Sequence, residues 1–269
     1  MPVDGDALSN ADLDVTVSDD GAVVRATIDR PDVRNALNDA VLAGLADTLD
    51  ATNESEARVV VIRGTEGTFC SGGDLQGMDE RGERTVTERR EESKRLANLF
   101  EHMRNADALT VAAVEGYCLA GGLGLAAGCE FVLAAEDATF GTPEVDVGMF
   151  PMQAMATITP AVGEKKALKL LFTGEHVDAA EAEDIGLVTD ALDAETFDAD
   201  LNEYVDRLAG NSPTMIAMGK QSYYTQRDMS VERSSAYLTE MLTLLMESED
   251  HAEGVRAFVE DRDPEWRAR

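Results

Sequence analysis

Two glycine-rich turns and one carboxylate are the residues of this chain best suited to chemistry. The turns span Phe69–Leu75 and Gly116–Leu125, and each follows an apolar run. Glycine lets the main chain come close to a ligand, and two such turns can direct free backbone N–H groups at one oxygen atom. The segment Gly141–Gly148 follows the second turn and carries Glu144. Together these segments predict a site that holds a carbonyl oxygen and moves a proton beside it.

The second turn contains a candidate donor on physical grounds alone. The Ala/Gly-rich stretch that begins at Gly121 predicts a helix. The first N–H groups of a helix have no partner inside it, and the helix dipole favours negative charge there. The N–H of Gly121 is therefore placed to bind an oxygen that becomes negatively charged.

Apolar neighbours surround Glu144 in the sequence, namely Phe140, Val145, Val147, Met149 and Phe150. Loss of water around a carboxylate raises its pKa and suits it to exchanging protons near neutral pH. The alternative is an ordinary surface glutamate, the usual fate of this residue type. Asp146 shows no comparable signal and is predicted to be structural or exposed.

These segments resemble the enoyl-CoA hydratase/isomerase (crotonase) family. The resemblance begins at Ile28–Asn38, which is similar to the family's Asn-Ala-Leu signature near the adenine of coenzyme A. It continues in the family's order through Val59–Leu75, Thr110–Ala135, Ala138–Pro151 and Gly254–Trp266. It implies an α/β fold, a crotonase-like superhelix of strand–strand–helix units with a C-terminal helical region.

The resemblance also implies the site. By resemblance, the backbone N–H groups of Gly73 and Gly121 are expected to form the oxyanion hole, and Glu144 is expected to be the catalytic glutamate. Residues implied to bind the coenzyme A portion are Arg34, Ala36, Asp74 and Leu75. No separate cofactor is implied, because coenzyme A enters as part of the substrate thioester.

Gly124 departs from the family's pattern, because hydratases usually carry a second glutamate at this position. One glutamate is enough to move a proton from C2 to C4, as in Δ3,Δ2-enoyl-CoA isomerases, which share an Ala-Gly-Gly turn such as Ala120–Gly122. Single-glutamate hydratases also exist in the family, so both reactions remain open. A glutamate at position 124 is expected to favour hydration, provided that the helix tolerates the side chain. Dienoyl-CoA isomerases use a further acid where this chain has Met152, which cannot move a proton.

Other classes of protein fit less well. A serine peptidase of the Clp type needs a serine and a histidine, and the histidines His102, His176 and His251 lie outside both turns and the Glu144 segment. Because the histidines are also far apart in the sequence, no clustered set of metal ligands is predicted. The cysteines in the turns, Cys70 and Cys118, are predicted to be packing residues. A non-catalytic, CoA-binding structural subunit remains an alternative.

The amino-acid composition limits the kinds of partner that the protein is expected to bind. The chain has 269 residues, 44% of them hydrophobic, with 23 basic and 53 acidic residues and a formal charge of −30. Such a charge disfavours nucleic acid and anionic membranes as partners. Because the acidic residues are spread along the sequence, they indicate a folded protein from a salt-adapted organism. Three cysteines at irregular spacing, with no signal peptide and no membrane-length apolar run, predict a cytoplasmic location.

The pattern along the chain divides it near residue 200. Residues 1–200 are predicted to form the α/β core, in which the resemblance places the acyl-CoA site. Residues 201–269 are predicted to form a helical region, for which the resemblance implies a role in oligomerisation. Within the core, Asn38 is a candidate N-cap for a helix to Thr52. The charged segment Asp79–Glu92 is predicted to form one wall of the acyl pocket. By resemblance the protein is a homotrimer or a dimer of trimers.

Overall fold

A computed structural model describes residues 2–53, 55–74 and 85–267 of the chain. Its strands are β1 (Leu13–Val17), β2 (Val23–Ile28), β3 (Val59–Gly64), β4 (Leu109–Val114), β5 (Tyr117–Leu119), β6 (Phe131–Ala135), β7 (Thr139–Gly141), β8 (Val177–Asp178) and β9 (Asp190–Leu192). The α-helices are α1 (Gly5–Leu8), α2 (Asp39–Thr52), α3 (Val86–Asn105), α4 (Gly121–Gly128), α5 (Met155–Val162), α6 (Glu164–Thr173), α7 (Ala179–Asp184), α8 (Phe197–Ala209), α9 (Pro213–Gln226), α10 (Val231–Met246) and α11 (Glu249–Glu260).

Six strands form the main sheet in the order β1-β2-β3-β4-β6-β9. β1 is antiparallel to β2, and the other neighbouring strands are parallel. β3 and β4 read as nearly continuous apolar runs, and all but one residue of each is buried. Such runs are typical of parallel strands that are covered on both faces.

A second, smaller sheet has the strand order β5-β7-β8. β4 is followed by β5 and α4, and β6 is followed by β7 and then α5. The chain after β3 repeats this pattern, because Cys70 forms a parallel bridge with Cys118 of β5 before α3 begins. Strand, short strand and helix therefore recur, which confirms the predicted α/β class built from strand–strand–helix units.

Alternate residues of the central strands face two apolar cores. Val60 and Ile62 of β3 belong to the larger core, which includes residues of α2, α3 and α4. Val59 and Val61 face the smaller core, to which α8 contributes Phe197, Leu201 and Val205. Residue 200, where the sequence analysis divides the chain, therefore lies inside a helix that packs on the sheet. The oligomerisation role of residues 201–269 stays a prediction.

Two of the longer helices begin at a side-chain N-cap. The Asn38 side chain accepts a hydrogen bond from the N–H of Val41 at 2.9 Å, which confirms it as the N-cap of α2. α3 begins with a capping box: Thr85 accepts from the N–H of Glu88, whose carboxylate accepts from the N–H of Thr85. Among the described residues, no helix has both the length and the apolar character that a membrane crossing requires.

Four short elements were not predicted from the sequence. They include α1, which Asp4 caps near the start of the chain, β5 in the second glycine turn, and the two-residue strand β8. β9 has three half-buried residues that give no alternating pattern. Elements of this length carry too few residues for periodicity to reveal them.

Candidate active site

Backbone pairing orients the first glycine turn. The N–H of Leu37 donates to the carbonyl of Gly72 at 2.7 Å, and the N–H of Asp74 donates to the carbonyl of Leu37 at 3.0 Å. These bonds form a parallel bridge between Leu37 and Gly73. In such a pairing the bridged residue's own N–H points to the opposite side. The N–H of Gly73 is therefore directed away from Leu37.

A strained residue turns the chain into α4. Ala120 has φ +54° and ψ −127°, and its N–H donates to the carbonyl of Gly141 at 2.8 Å. Gly121 follows as the first residue of the helix. A side chain on Gly122 would approach Cys70 to 2.7 Å, so glycine is required for α4 to pack against the first turn.

The two predicted donors lie side by side. A Cβ atom built on Gly121 would lie 3.7 Å from the backbone nitrogen of Gly73. In the described part of the chain, neither N–H group donates a hydrogen bond to another protein atom. Both glycines line a cavity of about 980 Å³, together with Glu144. Two adjacent free N–H groups on a cavity wall can bind one oxyanion.

The turn that carries Glu144 is held from several directions. It is a 3-10 helix over Pro143–Val147, which ends at Gly148 with φ +72°. The buried hydroxyl of Thr142 donates to the carbonyl of Leu170 at 2.7 Å. Gly174 has φ +65°, and a side chain there would meet Val145 at 2.7 Å. α6 and the turn after it therefore fix the position of Glu144.

Glu144 is half-buried, and burial raises the pKa of its carboxyl group. Its Oε2 atom is buried and has no hydrogen-bond partner among the described residues. Buried polar atoms in proteins are nearly always paired, so an unpaired carboxylate oxygen on a cavity wall marks a functional candidate. Such a group is suited to taking up and releasing a proton.

The Gly124 position has no room for a side chain. A Cβ atom there would lie 2.8 Å from both the Cα and the Cβ of Ala154, just before α5. The hydroxyl of Thr157 donates to the carbonyl of Gly124 at 2.8 Å, so α5 also bonds to α4 at this residue. Close helix packing thus occupies the place where a second carboxylate would begin.

The predicted coenzyme A contacts are only partly at the cavity. Asp74 lines it and forms an ion pair with Arg30 at 2.7 Å. Arg34 is exposed and Ala36 is buried, and neither is among the lining residues. Leu75 lies outside the described residues. The predicted binding roles of all four residues stay predictions.

Asn35, part of the Asn-Ala-Leu signature, has a structural contact that sequence reasoning missed. Its buried side chain donates to the carbonyls of Thr65 and Thr68, at 2.9 and 2.6 Å, and accepts from the N–H of Arg30. It has φ +55°, and asparagine adopts this left-handed conformation more readily than most residues. Asn35 therefore ties its own loop to the loop after β3.

α3 supplies cavity residues that the sequence analysis did not single out, including Leu96 and Arg95. Arg89 and Glu92, from the segment predicted as a pocket wall, also line the cavity. Residues 79–84 of that segment lie outside the described residues. Phe150 and Ala154 complete an apolar side next to the glycine turns. The packing of α3 against the rest of the fold brings Leu96 and Arg95 to the site.

The cysteines near the site are buried thiols. Burial raises the pKa of Cys70 to about 12, and burial also raises the pKa of Cys118 well above its ordinary value. A thiol with so high a pKa is a poor nucleophile at neutral pH. The described residues contain no cluster of three or more potential metal ligands.

The strand–strand–helix fold and the paired glycine turns define a protein of the crotonase fold. A solved enoyl-CoA hydratase of Mycobacterium smegmatis matches it with a TM-score of 0.90 at 30% identity, covering 96% of this chain and 99% of that one. An enoyl-CoA hydratase of Shewanella pealeana also gives 0.90, at 25% identity, covering 98% of this chain and all of that one. The profile described as enoyl-CoA hydratase/isomerase matches residues 18–269. The chain belongs to the enoyl-CoA hydratase/isomerase family.

Three relatives named as hydratases are similar in sequence to this chain over nearly their whole length. The 2,3-dehydroadipyl-CoA hydratase of Escherichia coli is 30% identical, over 95% of this chain and 99% of its own. A probable enoyl-CoA hydratase of Rhizobium meliloti is 32% identical, with 94% and 97% covered. The mevalonyl-coenzyme A hydratase of Aspergillus fumigatus is 31% identical, with 91% of each chain covered.

Proposed function

We propose that this protein is an acyl-CoA enzyme that transfers a proton on an enoyl-CoA thioester, using an oxyanion hole and one glutamate. The observation that carries the proposal is the unpaired, buried carboxylate oxygen of Glu144 on the cavity that the free N–H groups of Gly73 and Gly121 also line. A proton acceptor and two donors for a carbonyl oxygen are the parts that enolate chemistry needs.

The reaction that uses these parts most directly is the migration of a double bond. The N–H groups of Gly73 and Gly121 hold the thioester oxygen while the Glu144 carboxylate removes a proton from C2 of a 3-enoyl-CoA. The electron pair of the broken C–H bond delocalises into a dienolate, whose oxygen the two donors stabilise. Glu144 then returns its proton to C4, and the double bond comes to lie between C2 and C3.

Isomerisation is favoured over hydration by the packing at Gly124. Hydration normally relies on two carboxylates that hold one water molecule, whereas Ala154 occupies the space next to Gly124. One carboxylate can carry the same proton from C2 to C4 without help from a second.

Hydration of a 2-enoyl-CoA is the second candidate, supported by the names of the relatives. The E. coli, R. meliloti and A. fumigatus proteins all bear the name of hydratases. In this reaction Glu144 alone would take the proton of the attacking water and supply the proton that C2 receives.

A panel of 2-enoyl- and 3-enoyl-CoA esters of several chain lengths tests both candidates. We expect 3-enoyl-CoA esters to give the conjugated 2-enoyl product faster than 2-enoyl esters give 3-hydroxyacyl-CoA, measured by absorbance and by chromatography of the products. Faster hydration would establish the second candidate and overturn the preference for isomerisation. Thermal stabilisation by acyl-CoA esters without turnover of either series would instead identify a non-catalytic CoA-binding subunit.

A further inference from the structure

Arg30 joins two segments that meet at the first oxyanion donor. Its side chain is only 15% exposed. One guanidinium nitrogen donates to the carboxylate of Asp74 at 2.7 Å, and another donates to the backbone carbonyl of Ala36 at 2.5 Å. Its Nε lies 3.4 Å from the carboxylate of Asp12. The planar guanidinium group is thus committed to partners on three segments of the chain.

Two of these partners lie immediately beside the backbone bridge that orients Gly73. Ala36 precedes Leu37, and Asp74 follows Gly73. Leu37 and Gly73 are the bridged pair. Arg30 therefore fastens the same two segments that the bridge joins, one residue away from it on each segment.

We propose that Arg30, acting through Asp74, is a positioning residue that holds the N–H of Gly73 in line with the N–H of Gly121. This inference rests on the proposed function, because the aligned donors matter only if they bind a thioester oxygen. Arg30 is not among the residues lining the cavity, so it acts through the backbone and not by touching substrate. Asp74 anchors the turn in this arrangement.

The chemistry of the guanidinium group explains why arginine suits this position. Its donors lie in one plane at fixed angles, so it can hold a carboxylate and a carbonyl at the same time in one geometry. Lysine presents a single charged nitrogen and cannot reproduce this arrangement. A displaced donor weakens binding of the enolate oxygen, where charge develops, more than it weakens binding of the rest of the substrate.

The test compares Arg30→Gln, Arg30→Lys and Asp74→Asn with the wild-type protein. We expect kcat to fall about 10- to 100-fold in Arg30→Gln, since small misplacements of catalytic groups have effects of this order, while KM changes little. A 3-aryl-2-enoyl-CoA ligand gives a second readout, because polarisation of its carbonyl moves its absorption to longer wavelength on binding. We expect this shift to shrink in Arg30→Gln and Asp74→Asn, and Arg30→Lys to restore only part of it.

Arg63→Gln is the matched control. Arg63 is also partly buried and pairs with two carboxylates, Glu115 at 2.6 Å and Asp198 at 3.0 Å, but it lies on β3 outside the cavity lining. We expect its loss to lower thermal stability while kcat and the absorption shift stay at the wild-type values. Equal losses of kcat in Arg63→Gln and Arg30→Gln would show general destabilisation and would overturn the proposal.

The other outcomes are also decisive. An unchanged kcat and an unchanged absorption shift in Arg30→Gln would overturn the positioning role and leave the proposed function intact. If the wild type binds the aryl ligand but turns over no ester, the proposed enzymatic function is wrong. The absorption shift is then the readout that tests whether Arg30 aligns the N–H groups of Gly73 and Gly121. If the wild type binds no acyl-CoA, both proposals fail. Should Arg30→Gln not fold, Asp74→Asn, which keeps the shape of its side chain, takes its place.

Discussion

At the scale of single residues, the properties that suit Glu144 to proton transfer also oppose the stability of the fold. Burial raises the pKa of its carboxyl group above the ordinary value of 4.5. As pH rises from that value through the raised pKa, the folded state binds more protons than the unfolded state. The free energy of unfolding therefore falls over this interval, and above it the native fold must keep a poorly solvated charge.

Glu144→Gln is expected to separate function from stability. Because an amide cannot act as a base, activity should fall by about 10²- to 10⁴-fold. The free energy of unfolding at pH 8 should be unchanged or higher, since the buried charge is gone. For the wild type, kcat/KM should decline on the acid side at a pH above the ordinary range of glutamate.

Glu136→Gln is the control for this change, because it removes the same charge at an exposed position outside the cavity lining. It should retain the activity and the pH profile of the wild type. Near-normal turnover by Glu144→Gln on the best substrate would contradict the assignment of Glu144 as the proton carrier.

At the scale of elements, the contact between α4 and the segment before α5 determines what position 124 can hold. The expectation that a glutamate there would favour hydration requires the helix to tolerate a side chain. The structure does not meet this condition, because the first side-chain atom would lie 2.8 Å from the Cα of Ala154. A backbone atom cannot rotate out of the way as a side chain can.

Gly124→Ala is therefore expected to destabilise the protein. Overpacking typically lowers stability by about 1–3 kcal/mol, against a gain of about 1 kcal/mol from replacing glycine by alanine within a helix. Gly219→Ala is the matched control, since Gly219 lies inside α9 and its added Cβ would meet no described atom within 4 Å apart from the neighbouring backbone of α9 itself. We expect thermal unfolding of Gly219→Ala above the wild type and of Gly124→Ala below it. A Gly124→Ala variant as stable as Gly219→Ala would show that α4 and α5 can separate freely.

At the scale of the whole molecule, a net charge of −30 is the dominant feature. The acidic residues repel one another and also repel the phosphates of coenzyme A. Exposed apolar side chains on the C-terminal helices, such as Leu242 of α10 and Phe258 of α11, support the proposal that this region is covered in an oligomer. We propose that the protein is adapted to high salt, where screening permits both assembly and binding.

Activity, oligomer size and affinity for acyl-CoA are expected to rise together with salt. The Debye length shrinks from about 10 Å at 0.1 M to about 3 Å at 1 M, so long-range repulsion disappears over this range while close contacts persist. Titration of acyl-CoA binding in KCl measures the affinity, and sizing chromatography measures the oligomer size. Enzymatic turnover is assayed in the same buffers. Sucrose at matched osmolarity is the control, since it adds no screening.

The expected assembly is a trimer or a pair of trimers. An affinity that falls steadily with salt while the oligomer stays intact would mean that local basic contacts dominate. A protein that stays monomeric at every salt concentration would contradict the role proposed for residues 201–269.

Local chemistry was sufficient to predict much of this protein from its sequence. Asn38 predicted the start of α2, and the Ala/Gly-rich stretch from Gly121 predicted α4. Helix capping and local composition depend on residues that are close in the chain. The glycine turns and the Glu144 segment, in this order, indicated the family. The match of the family model to residues 18–269 confirms it.

Tertiary structure alone decided how these parts meet. The bridge between Cys70 and Cys118 places the two turns side by side, and the pairing of Leu37 with Gly73 directs the N–H of Gly73 away from Leu37. The contact of Gly124 with Ala154 and the ion pair of Arg30 with Asp74 join residues that are far apart in the chain. Such contacts depend on how strands and helices pack across the fold, and no local pattern of residue types records them.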